Sequence, residues 1–150
     1  MDPLVKEVRV GATVEDAFRR FTHEIGTWWP MAAHSVSQGR CRSVTFGNAV
    51  GAHLAEEVED GSVHVWGTIT AWDPPQRVSF TWHPGREAHG AQDVTVTFEP
   101  DAEGALVRLV HTGWHRLGEA AAETRQGYDA GWDGVLGLFR ASLSRDPADG

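Results

Sequence analysis

Between Arg42 and Leu109 the chain repeats one pattern: short apolar–polar alternations, each closed by a turn signal. Val78, Phe80 and Trp82 alternate with Arg77, Ser79 and Thr81, and Val94, Val96 and Phe98 alternate with Thr95 and Thr97. Successive side chains of a strand point to opposite faces, so each run reads as a strand with one apolar side. The breaks fall at Gly47-Asn48, Asp60-Gly61, Asp73-Pro74-Pro75, His83-Pro84-Gly85 and Asp101-Ala102-Glu103-Gly104, which is the spacing of an antiparallel meander. Such a sheet can leave one face in water, and its apolar face has to be covered by another part of the chain.

The C-terminal stretch supplies the cover. Tyr128, Trp132, Val135, Leu136, Phe139 and Leu143 fall within an arc of roughly 100° at helical spacing and predict one long helix. Beside that arc runs a flank of small residues, Gly127, Gly131, Gly134 and Ala141, although each interior glycine costs about 1 kcal/mol of helix propensity. Close approach to the sheet or to a partner helix accounts for the flank, and so does room for a ligand. At the other end, Val8 and Val10 alternate with Glu7 and Arg9 as a first strand ending at Gly11. Thr13 and Asp16 then have the spacing of a capping box ahead of Val14, Ala17, Phe18 and Phe21. Ile25, Trp28 and Trp29 continue the stripe to Pro30 with Gly26 as a break, so two short helices are expected. The fold class is α+β: a curved antiparallel sheet of six or seven strands, two short helices near the N-terminus and one long C-terminal helix. One domain spans 1–145, and 146–150 reads as a frayed tail.

Charge narrows the function. A net charge of −8 would repel the phosphates that a nucleic-acid binder has to neutralise, and no basic cluster marks a membrane surface. Cys41 is the only cysteine, which excludes an intrachain disulfide and thiolate-bound zinc clusters. No apolar run approaches the ~18 residues of a spanning helix, and neither a basic start nor an apolar core of a signal peptide is present. The cytoplasm is the expected compartment.

The order strand, helix pair, meander and long C-terminal helix is the helix-grip arrangement, and local motifs agree with it. The chain resembles the SRPBCC superfamily, also called START or birch-pollen-allergen-like. Within it, the stretch Trp66-Gly67-Thr68-Ile69-Thr70-Ala71-Trp72-Asp73-Pro74-Pro75-Gln76-Arg77-Val78-Ser79-Phe80-Thr81-Trp82 is similar to the signature of homologues of the heat-shock protein 90 ATPase activator. Leu109-Val110-His111-Thr112-Gly113-Trp114 is similar to that family's final strand, and Gly131-Trp132 with Leu136 and Phe139 to its closing helix. The resemblance implies a cavity between sheet and C-terminal helix, with Met31 to Gln38 as a segment at its lip.

Seven tryptophans in 150 residues are well above the usual ~1–2% share, and apolar, aromatic walls are typical of ligand pockets. Expected pocket residues are Trp28 and Trp29 after the helix pair, His34 in the lip, and His64, Trp66, Phe80 and Trp82 on the meander. Leu109, His111 and Trp114 follow at the last strand, and Gly131, Trp132, Val135, Leu136 and Phe139 on the closing helix. Metal binding is not expected: His111 and His115 would stand about 13 Å apart on an extended strand, and His53 and His64, facing across a hairpin, lack a third ligand. His111, His64 and Glu57 beside Glu56 form no recognisable acid–base dyad, Cys41 has no basic neighbour, and neither a Gly-x-Ser-x-Gly elbow nor a phosphate-cradling loop occurs. No cofactor follows. The favoured partner is a small hydrophobic or amphipathic molecule, bound rather than turned over. Two alternatives stand beside it: a polyketide cyclase or hydrolase using the same cavity, and a module that contacts a chaperone or pairs as a homodimer through the Gly127, Gly131, Gly134 flank.

Overall fold

The chain opens with strand β1 (Leu4–Val10) and helix α1 (Val14–Phe21), passes through a single 3-10 turn at Ile25–Thr27, and then lays down six strands. These are β2 (Cys41–Phe46), β3 (His53–Val58), β4 (Val63–Asp73), β5 (Arg77–Trp82), β6 (Gln92–Asp101) and β7 (Gly104–Thr112). A 3-10 segment at Trp114–Ala120 leads into helix α2 (Ala121–Leu143). The computed structural model describes residues 2–31, 36–87 and 90–143, and the tail expected at 146–150 lies outside them. All strands join one antiparallel sheet in the order β1-β7-β6-β5-β4-β3-β2. The meander therefore runs in sequence order from β2 to β7, and β1 adds at the far edge by pairing with β7, Val8 opposite Val107 and Val10 opposite Ala105.

The alternation sets the faces as expected. Val78 lies opposite Val96 and Phe80 opposite Val94, all four fully buried on the side that α2 covers, while Arg77 and Arg108 point to water. Besides a shift in the β2–β3 pairing between Cys41 and Ser43, two register shifts bend the middle of the sheet. One lies in the β3–β4 pairing beside Leu54, which faces Gly67, and the other in the β4–β5 pairing between Ile69 and Ala71. An extra residue on one strand bends it and raises its twist. Between these shifts Gly67 meets β5 at a distance that no side chain allows, since a Cβ built there would stand 1.7 Å from the Thr81 carbonyl oxygen.

The Thr13 hydroxyl accepts the Asp16 N–H at 3.1 Å and caps α1, whereas the Asp16 carboxylate turns to Arg19 at 3.2 Å instead of completing the box. Helix α1 stops where the Thr22 hydroxyl donates to the Phe18 carbonyl at 2.7 Å. The second expected short helix is only the turn at Ile25–Thr27, because the chain here lies against β2: a Cβ on Gly26 would come within 3.2 Å of the Val44 carbonyl. On α2 the buried residues are Ala121, Trp132, Val135, Leu136 and Phe139, with Tyr128 and Leu143 half-buried at the ends of the predicted arc. A Cβ built on Gly127 or Gly134 would meet nothing within 4 Å, so neither glycine serves a close approach to the sheet.

Phe21 is the hub that locks the layers together. Its ring lies 5.3 Å from Phe139 on α2, 6.0 Å from Phe98 on β6 and 5.6 Å from Trp28, all as tilted or edge-on pairs favoured by aromatic quadrupoles. Full burial of such a side chain contributes about 1.5–3 kcal/mol.

The Gly67 contact is the most demanding backbone approach in the sheet. Gly67→Ala is expected to lower unfolding free energy by about 3 kcal/mol or to prevent folding, because the carbonyl it meets belongs to backbone and cannot swing aside. Urea denaturation of the variant measures this, and a loss below about 0.5 kcal/mol would contradict the close approach.

Candidate functional site

Where β5 ends beside α2 lies a pocket of about 350 Å³. Its wall consists of Trp29, Val36, Trp82, Pro84, Gly85, Tyr128, Gly131, Trp132 and Val135. The volume lies near the lower end of the ~300–1,000 Å³ range of small-molecule sites. Trp82 arrives from the last position of β5, and Tyr128, Gly131, Trp132 and Val135 are successive turns of one face of α2. Trp29 comes from the loop after the 3-10 turn, and its ring lies 6.2 Å from both Trp82 and Trp132. Tyr128 and Trp132 stack at 6.0 Å with planes only 25° apart.

The polar edges of these rings are tied into the protein, so the pocket meets mainly their faces. Trp82 Nε1 donates to the Tyr128 hydroxyl at 2.9 Å. Trp132 Nε1 donates to His111 Nδ1 at 3.0 Å, which fixes the imidazole as the Nε2–H tautomer and lets Nε2 donate to Gln92 Oε1 at 3.3 Å. The Gln92 amide in turn donates to the Gly90 carbonyl at 2.8 Å, and Trp114 Nε1 donates to the His111 carbonyl at 3.0 Å. Trp114 also lies against the imidazole with 4.0 Å between ring centres. Burial pushes the His111 pKa from the ordinary 6.5 down to about 3, so the ring is neutral at physiological pH. Burial likewise raises the Tyr128 pKa, against smaller lowering effects from the Trp82 hydrogen bond and the Arg86 charge, and the phenol keeps its proton.

A buried carboxylate holds the lip. Glu56 on β3 is fully buried and accepts the Trp66 indole at 2.8 Å, the Val36 N–H at 2.5 Å, the Ser37 N–H at 3.0 Å and the Ser37 hydroxyl. Burial alone would raise its pKa, but the hydrogen bonds from Ser37, Val36 and Trp66 outweigh burial and hold it below the ordinary carboxylate value. Val36 is thereby fixed at the mouth, and Trp66 is fixed behind Trp29, 5.3 Å away, and Trp82, 5.8 Å away.

Residues 11–143 match the family model described as Activator of Hsp90 ATPase homolog 1-like protein. The chain belongs to that family. This Activator of Hsp90 ATPase homolog 1-like chain shares its helix-grip fold with solved structures. Protein MLL2253 from Mesorhizobium loti is 20% identical, with 96% of this chain and 98% of that one covered at a TM-score of 0.69. The Aha1 dimer from Colwellia psychrerythraea is 16% identical, with 95% and 96% covered at 0.67. Txn09, an anthrahydroquino-gamma-pyrone synthase, is 32% identical, with 86% and 88% covered at 0.60. No curated protein matches the chain.

Of the residues predicted from the sequence of this activator-homologue-like chain, Trp29, Trp82, Gly131, Trp132 and Val135 stand on the pocket wall. Trp28, Trp66, Phe80, Leu109, His111, Trp114, Leu136 and Phe139 are buried in the core beneath or beyond it. His64 is exposed on β4, and His34 lies outside the described residues. His53 and His64 do not face one another: the register sets His53 opposite Thr68 and His64 opposite Glu56. Among the described residues no three His, Cys, Asp or Glu side chains gather closely enough to hold a metal ion. Glu57 is half-exposed, 3.8 Å from Arg42, and does not reach the pocket. The wall also contains Tyr128, Val36, Pro84 and Gly85, none of them among the expected pocket residues; the helical arc carried the signal for Tyr128, and the lip segment the signal for Val36.

The neutral imidazole makes stability depend on pH in a definite direction. Because the folded pKa of His111 is depressed, the unfolded chain binds a proton that the folded one refuses between about pH 6.5 and 3, so stability is complete above that window and falls as pH drops through it. His111→Asn keeps an acceptor for Trp132 and removes the titration. Stability curves by urea unfolding at pH 7 to 4 are expected to be flatter for the variant by roughly 1.4 kcal/mol per pH unit in the lower half of the range. Parallel curves would show that His111 is already protonated in the fold.

Proposed function

We propose that the protein binds a small hydrophobic or amphipathic molecule in the cavity between the sheet and α2. The observation that supports this best is the wall itself: four aromatic rings, Trp29, Trp82, Tyr128 and Trp132, surround a space that the core does not fill. The indoles of Trp82 and Trp132 give their N–H groups to protein acceptors, which leaves their apolar faces for a ligand. Apolar contact area of this kind contributes about 25 cal/mol per Å² removed from water. A reducing, cytoplasmic setting suits the single cysteine, and pairing of two copies is a secondary proposal motivated by the dimer described for the Colwellia protein.

A second reading is catalytic. Txn09 is 32% identical over most of both chains and is named a synthase, which favours an aromatic-polyketide cyclase acting in this cavity. Among the described residues Tyr128 is the one ionisable group on the pocket wall, so such chemistry would depend on a phenol as proton donor.

Binding is tested by titrating the protein with small apolar aromatics while observing the indole N–H resonances. The signals of Trp82 and Trp132 are expected to move, and those of Trp28, whose N–H is held by the Arg20 carbonyl at 2.7 Å on the far side of the core, to stay. Trp132→Ala is expected to weaken binding at least tenfold, about 1.4 kcal/mol. Uniform shifts, or none, would remove the pocket as the binding site. Turnover that survives Tyr128→Phe would remove the phenol from the catalytic reading.

A further inference from the structure

One end of the pocket differs from the rest of its wall. The Tyr128 hydroxyl accepts the Trp82 indole, and no described acceptor takes its own proton. A neutral phenol in an apolar enclosure offers one directed donor, and a ligand oxygen is the natural partner. Beside it stands Arg86. The tight turn from His83 to Arg86 carries Pro84 and Gly85 on the wall, and it is pinned by the Arg86 N–H on the His83 carbonyl at 2.9 Å and by His83 Nδ1 donating to the Arg86 carbonyl at 3.1 Å. Gly85 takes a left-handed φ of 71° there, which places Arg86 back toward α2.

The guanidinium reaches Thr124 Oγ1 at 3.5 Å, one helical turn of ~5.4 Å before Tyr128 on the same face. Its positive charge is felt at the phenol. No described carboxylate lies within ion-pair distance of Arg86; the same is true of Arg40, Arg125 and Arg140, but of these four only Arg86 directly follows a residue of the pocket wall, Gly85. In a chain of net charge −8, a cation without an ion-pair partner next to the pocket wall favours an anionic group there.

We infer that the pocket selects a flat aromatic acid: fused rings lie among Trp29, Trp82 and Trp132, and the ligand's carboxylate accepts a hydrogen bond from the Tyr128 hydroxyl and faces the Arg86 guanidinium. A guanidinium presents paired donors that match a carboxylate, and a charge-assisted contact at the edge of an apolar pocket is stronger than its neutral counterpart. This inference rests on the pocket being the binding site and adds the class of ligand.

Three probes of one shape separate the two claims: 2-naphthoate, its neutral amide and naphthalene. Dissociation constants come from the indole N–H shifts, measured for the unaltered protein, Arg86→Gln and Tyr128→Phe. Arg86 is exposed, so Arg86→Gln is expected to keep the melting temperature unchanged. Naphthoate should bind the unaltered protein about tenfold more tightly than the amide, the equivalent of one charge-assisted hydrogen bond. That preference should shrink toward unity in Arg86→Gln and should weaken as salt is raised. If the amide or naphthalene binds as well as naphthoate, or if the preference survives Arg86→Gln, the acid selectivity is overturned while the pocket stands. If none of the three moves the Trp82 or Trp132 signal, both fall.

Discussion

A sheet with one apolar face is stable in water only when that face is covered, and in this protein a single helix does most of the covering. The packing of Phe139 against Phe21 and Trp28, at 5.3 and 5.1 Å, joins α2 to α1 and to the loop that follows it. Everything else is arranged around that contact. Were the helix to slide by one turn, Trp132 would leave His111, Tyr128 would leave Trp82, and two buried polar networks would lose partners together. Leaving such a group unpaired costs about 1–3 kcal/mol, so the polar bonds fix the register that apolar packing alone would leave loose.

The tryptophans show how a core can be aromatic and still leave a site. Each indole brings a large apolar face and one N–H that needs an acceptor. Trp28, Trp66, Trp82, Trp114 and Trp132 find theirs in the Arg20 carbonyl, Glu56, Tyr128, the His111 carbonyl and His111 Nδ1. With the edges committed, the rings cannot turn to fill the remaining space. The pocket therefore persists as a consequence of hydrogen bonds made by the side chains of its wall and of the core behind it.

Much of the fold was legible because its signals are local. Asp60-Gly61 and Asp73-Pro74-Pro75 break strands by backbone geometry alone, and the parity of Val78, Phe80 and Trp82 assigns the inner face without reference to any partner. The helical arc from Tyr128 to Leu143 is likewise intrinsic. The site was less legible, since pocket walls are settled by distant pairings. That Trp132 lines the cavity while Trp114 lies beneath it depends on where α2 crosses β7, and that His111 is satisfied depends on Trp132, 21 positions away. Glu56 drew notice only as the neighbour of Glu57; its role in holding Val36 and Ser37 comes from contacts across about 20 residues. Gly127 and Gly134 suggested close packing by composition, yet they face solvent, since the same small residue is compatible with a tight contact and with none.

The place of the pocket follows from how α2 is held along its length. Near its start, Arg125 donates to the Asp2 and Pro3 carbonyls at 3.0 and 3.1 Å, and Lys6 on β1 bonds Asp129 and lies 3.0 Å from Asp133. Near its end, Arg20 of α1 donates to the Ser142 carbonyl at 2.6 Å. Exposed ion pairs contribute less than about 1 kcal/mol each, so these contacts aim the helix more than they stabilise it. They draw it toward β1 and α1, on the side of the sheet away from the end of β5. Trp82, at that end, pairs with the Tyr128 and Trp132 rings of α2, and the pocket lies against these three side chains. A helix lying more centrally would close the cavity with its own side chains. The asymmetric tethering leaves it open beside Arg86.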